Sequence, residues 1–165
     1  MTNPEPWLRG PLEDVHPLVM PVFFSFAQVR EELARFTEGL RDDQLYRDIG
    51  GTTLAFHLAH LAASIERLTT YLMGGQLTSE QLTSLRSERE PGKTLPELLT
   101  LIEGSLSSSE QALRQIKPDS LYDARTVGRQ ALPTTVIGLL VHVAEHTQRH
   151  LGQAIILCKI LRQTS

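Results

Sequence analysis

The sequence predicts an all-α fold, a four-helix bundle. Four long segments carry apolar residues at steps of three and four, the mark of an amphipathic helix. Nothing alternates with period two for more than a few residues, and no Asn-Gly or Asp-Gly turn joins two apolar runs. A chain of 165 residues fits one domain, read as residues 1–165 with an irregular arm over 1–15. At that size it buries roughly two thirds of its unfolded surface, so it needs no disulfide, and its lone cysteine, Cys158, has no partner within the chain.

The arm holds Pro4, Pro6, Pro11 and Gly10, and Trp7 with Leu8 is expected to pin it to the body. A first helix is expected from His16-Pro17, since proline suits a first turn, with Pro21 tolerated early or marking the true start. Its stripe is Val22, Phe23, Phe26, Val29, Leu33 and Phe36. Gly50-Gly51 breaks the chain before a second helix, capped by Thr52 or Thr53 and running to Met73, where Gly74-Gly75 ends it. Leu82 and Leu85 space a short helix within the polar stretch 78–90. A third helix spans 95–116, with Thr94 as its cap and the stripe Leu95, Leu98, Leu99, Ile102, Leu106 and Leu113. Residues 117–132 read as a long connection without periodicity, and Pro133 is expected to open the last helix, which runs to Leu161.

Charge and hydropathy narrow the function. The net charge of −3 is mixed in sign along the chain, and no basic stripe marks a nucleic-acid surface. The most apolar stretch, 136–161, is broken by His142, Glu145, His146, Gln148, Arg149, His150, Gln153 and Lys159, which argues against a membrane span. The N-terminal segment has acidic residues and prolines but no apolar core, so it does not read as a signal peptide, and the expected location is cytoplasmic.

Five of the six histidines fall in two helices: His57 and His60 in the second, His142, His146 and His150 in the last. At about 100° per residue, His146 and His150 lie roughly 40° apart, and Leu139 and Leu157 are each about 20° from His146. Thr53, Phe56, Ser64 and Tyr71 share the face of His60 in the same way. These imidazoles therefore follow the buried stripes and point into the bundle. One such histidine is ordinarily a satisfied core residue. Three need partners for their ring nitrogens, since each unsatisfied buried polar group costs about 1–3 kcal/mol. A divalent metal ion held by His60, His146 and His150 meets all three needs and leaves coordination positions open, the pattern of a catalytic site. His57 and His142 read as partners at the rim, stand-in ligands or ordinary side chains, and neither is counted in the ligand set.

Two segments resemble a known family. His57-Leu58-Ala59-His60-Leu61-Ala62-Ala63-Ser64-Ile65-Glu66-Arg67-Leu68 is similar to the second-helix motif of the DinB family. Glu145-His146-Thr147-Gln148-Arg149-His150-Leu151-Gly152-Gln153 is similar to its last-helix motif, a histidine pair followed by Gly-Gln. The resemblance extends from Leu18 to Leu161 through helix order and spacing. It implies an up-down-down-up bundle, often a homodimer, that binds a divalent metal through His60, His146 and His150. His60 matches the ligand position better than His57, which has a similar local frame, and Gln153 matches as a packing or supporting amide. Zinc or nickel is the expected ion, with iron, manganese and cobalt compatible.

Some family members resemble metal-dependent transferases that use a low-molecular-weight thiol such as bacillithiol or mycothiol. Thiol S-transfer to a small-molecule substrate is therefore the first expectation and metal-dependent hydrolysis the second. A non-enzymatic helical dimerisation scaffold is the reading from another class. Glu145, about 100° around from His146, is expected to be a solvated carboxylate. Cys158 is expected to be a small buried thiol, and Ser107-Ser108-Ser109 a polar helix face. Arg125 and Arg129 are placed within reach of an anionic substrate or simply in solvent.

Overall fold

Residues 4–163 are described in the computed structural model of the chain. The apolar stripes fold into four long helices, α1 (Met20–Thr37), α3 (Leu54–Leu72), α5 (Leu95–Leu113) and α6 (Val136–Gln163). Two shorter ones, α2 (Asp42–Leu45) and α4 (Ser79–Ser87), lie in the connections. Thr53 caps α3, its Oγ1 accepting from the Phe56 N–H. Thr78 and Thr94 form reciprocal boxes with Gln81 and Glu97, which fix where α4 and α5 begin.

Cross-helix contacts give the directions. His57 meets His150 and His60 meets His146, so α3 and α6 run antiparallel. Gln148 donates to the Ser25 carbonyl and Arg162 to those of Arg35 and Glu38, so α1 and α6 run parallel. Ala59 and Ala62 share a cleft with Leu101 and Ser105, and Thr69 and Met73 share one with Ser109 and Ala112, so α3 and α5 are also parallel. The order is up-down-down-up. Phe26, Leu58, Leu61, Leu106 and Leu151 from all four long helices are fully or almost fully buried in one apolar cluster. None of the described helices is long and apolar enough to cross a membrane.

The connection after α5 departs from expectation. It contains two strands, β1 (Ala124–Val127) and β2 (Leu132–Thr135), paired antiparallel with Val127 opposite Leu132. Pro133 sits in β2 rather than opening the last helix; each strand of a two-stranded ribbon has a free edge, where a missing N–H costs nothing. The turn uses left-handed Gly128 and Ala131 instead of an Asn-Gly pair. α6 starts at Val136, with Thr135 Oγ1 accepting from the Gly138 N–H.

Other boundaries shift by small amounts. His16-Pro17 lies in a turn and α1 begins at Met20, with Pro21 in its first turn. α5 ends at Leu113 rather than Ile116. The arm is held differently: Trp7 and Leu8 are 58% and 56% exposed, whereas Pro6 is buried and Arg9 pairs with Glu31 at 2.5 Å. The first three residues of the expected arm, with Thr164 and Ser165, lie outside the described residues.

Candidate metal centre

The N-terminal half of α3 faces the middle of α6, and that crossing brings the histidines together. One ligand atom each of His60, His146 and His150 lie within 4.8 Å of one another. His60 Nε2 and His146 Nε2 are 3.1 Å apart. Two nitrogens bound to one ion at about 2.0–2.1 Å, with tetrahedral to octahedral angles, are separated by about 2.8–3.4 Å. The spacing fits a shared ion.

The second ring nitrogens of His60 and His150 are already engaged, and that of His146 is not. His60 Nδ1 donates to Glu88 Oε2 at 2.7 Å, so its Nε2 is the bare nitrogen. Glu88 Oε1 in turn accepts from Arg67 at 2.6 Å, and the Glu88 and Arg67 side chains are only 6% and 10% exposed. His150 Nδ1 lies 3.1 Å from His57 Nδ1, while His57 Nε2 lies 3.0 Å from Thr52 Oγ1. Two tautomer sets satisfy this chain; in the one suited to a cation, His57 donates from Nε2 to Thr52 and accepts at Nδ1 from His150, leaving His150 Nε2 bare. His146 Nδ1 is buried without a hydrogen-bond partner among the described residues.

Burial favours the neutral form of His57, His146 and His150. Burial, then the neighbouring His60, push His146 and His150 down to about 4. His57 is lowered by burial and by the charges of His60 and Arg89. For Glu88, burial pushes upward, but the bonds from His60 and Arg67 outweigh it and hold the carboxyl below its ordinary value. Neutral imidazoles beside an ionised carboxylate are the protonation states a cation requires.

A model of the DinB superfamily matches residues 25–154, a span that contains all three histidines and most of the bundle. The chain belongs to the DinB superfamily. Its DinB-like helix order and its histidine cluster thus occur together, in a family whose members bind metals. No curated protein matches the chain at a significant level.

Within this DinB chain the remaining candidates separate. Glu145 is exposed and pairs with Arg149 and, at 3.5 Å, His142, as a solvated carboxylate does. Cys158 is fully buried and its thiol is pushed up to about 11 by desolvation, which removes it as a nucleophile. Arg125 is turned away from the histidines: its Nε donates to the Leu72 carbonyl and caps α3. Arg129 is exposed in the hairpin turn. Gln153 is exposed and lines an open groove instead of supporting the ligands. The serine run is split, with Ser109 buried against Thr69 and Ser107 bound to Glu103.

Glu88 and Arg67 were missed from the sequence. Arg67 offered a signal: seven residues after His60, it lies about 20° from it on the inward stripe, and a buried guanidinium requires a carboxylate. Glu88 offered none, because it comes from the end of the polar α4.

Proposed function

We propose that this DinB protein is a divalent-metal-dependent enzyme whose ion is held by His60, His146 and His150. Transfer of a low-molecular-weight thiol to a small electrophile is its first candidate reaction. The observation that carries the reading is the convergence of three imidazoles, two of them fixed from behind by Glu88 and by His57. A bound divalent ion supplies Lewis acidity, lowering the pKa of a coordinated thiol or water. Neutral ligands leave that charge undiminished, and Arg67 offsets the charge of Glu88.

The surroundings support an organic substrate. A groove of about 500 Å³ runs from Thr52 and His57 along α6 past Gln148 and Gly152 to Ile156 and Leu157. Its apolar floor suits a hydrocarbon or aromatic portion, with Arg149 and Gln148 at the rim for polar groups. The His60 side chain remains 18% exposed, so the centre is reachable from solvent. Zinc and nickel are the proposed ions; nitrogen donors alone also accept iron, cobalt and manganese.

The test is metal content. Untagged protein should carry, or take up, one divalent ion per chain by inductively coupled plasma mass spectrometry and calorimetric titration. His146→Ala or His150→Ala should each weaken binding at least tenfold while circular dichroism stays helical. Wild-type protein with no affinity for zinc, nickel, cobalt or manganese overturns the proposal. The transferase step is checked separately, by following thiol loss with a panel of electrophiles in the loaded enzyme and in His150→Ala.

A further inference from the structure

α4 is an unusual helix for its position. Its apolar residues do little: Leu85 is 44% exposed and Leu82 is only half-buried. Two polar clamps hold it on α3 instead. At its start, buried Gln81 donates to Glu66 Oε1 at 3.1 Å and to Thr70 Oγ1 at 2.8 Å. At its end, Glu88 caps the helix and bonds His60 and Arg67. The second clamp reaches a proposed metal ligand, so the docking of α4 and the orientation of His60 are set by the same carboxylate.

We propose that Glu88 is a positioning residue: it holds His60 as the Nδ1–H tautomer with Nε2 toward the ion, and it makes the docking of α4 depend on metal occupancy. The inference rests on the metal-centre reading above. A carboxylate behind an imidazole fixes ring orientation and raises ligand basicity, and its removal typically weakens metal binding by about 10–100-fold. Arg67 neutralises the carboxylate without touching His60, so the pair orients the ring while adding no net charge. Reciprocity follows from linkage: if a docked Glu88 favours the ion, the ion favours a docked α4 by the same factor.

The experiment compares full-length wild type with Glu88→Gln and with Glu88→Gln/Arg67→Met, the second variant avoiding an unpaired buried guanidinium. Zinc affinity is measured by chelator competition and cobalt loading by the visible spectrum. Imidazole nitrogen shifts read the His60 tautomer, and amide exchange reads residues 79–87 with and without zinc. Expected are zinc binding about 10–100-fold weaker in the variants, an altered cobalt spectrum, a His60 ring no longer fixed as Nδ1–H in the metal-free protein, and zinc protection of α4 in wild type alone. A merely structural role would leave the tautomer and the zinc dependence of exchange unchanged. If wild type binds zinc and the double variant matches it within twofold, with the same tautomer and the same α4 protection, the positioning role is overturned and the metal centre stands. If wild type binds no divalent ion, both fall.

Discussion

His146 and His150 stay neutral in the folded protein at pH values where a solvated imidazole is already charged. Their folded values of about 4 lie below the ordinary 6.5. Between those limits the unfolded chain takes up protons that the native state does not, so stability falls as pH drops through the window and is fully present above it. In metal-free protein the urea midpoint should hold steady above pH 7 and decline from pH 6.5 towards 4. His150→Leu should flatten that decline; a wild-type midpoint unchanged from pH 7 to 4.5 would contradict neutral, desolvated rings. The three histidines were legible because two numbers, 3.6 residues per turn and the spacing of the leucines, place them inward. Their outward partners were not. His57 sits one turn from His60 in sequence, yet it bonds His150 on the facing helix, a pairing set by how α3 and α6 cross. Helical spacing cannot see across that gap.

The hairpin between α5 and α6 shows where local pattern failed. Its strands are four residues long, with no residue fully buried and polar side chains at half-buried positions Arg125, Thr134 and Thr135, so no apolar alternation marks them, and the turn residues are Gly128 and Ala131. What fixes the ribbon is contact: Arg125 on the end of α3, and the first turn of α6 folded against Thr134 and Thr135. Gly138 permits that closeness. A Cβ there would stand 2.8 Å from Thr134 Oγ1 and 3.3 Å from Thr135 Oγ1, the oxygen that caps α6. Alanine improves helix propensity by about 1 kcal/mol, while overpacking of this kind costs about 1–3 kcal/mol. Gly138→Ala should therefore lower unfolding free energy by up to about 2 kcal/mol in denaturant melts, with hydrogen exchange speeding first in β2. Equal or greater stability would show that the ribbon gives way without cost.

The centre joins two helices that the chain itself connects only through α4, α5 and the hairpin. An ion bound only by the folded bundle adds stability by mass action, about 2.7 kcal/mol at a free concentration one hundred times its dissociation constant. Zinc should raise the thermal midpoint of wild type in proportion to the logarithm of its concentration, and should leave the midpoint of His146→Ala/His150→Ala unmoved. A similar zinc shift in that variant would place the binding elsewhere. The long helices were readable from periodicity, whereas their directions were not: the up-down-down-up order came from family resemblance and is visible physically only in pairs such as Gln148 with Ser25.

That order also has a temporal side. α1 lies along α6, more than a hundred residues later, and its contact with α5 is smaller and includes the ion pairs of Arg30 with Glu103 and Glu110. On a translating ribosome the apolar face of Phe23, Phe26 and Val29 thus emerges first and finds its main cover last. Nascent chains stalled before α6 should stay open to protease and to chaperones, and acquire resistance in one step once the final helix clears the exit tunnel.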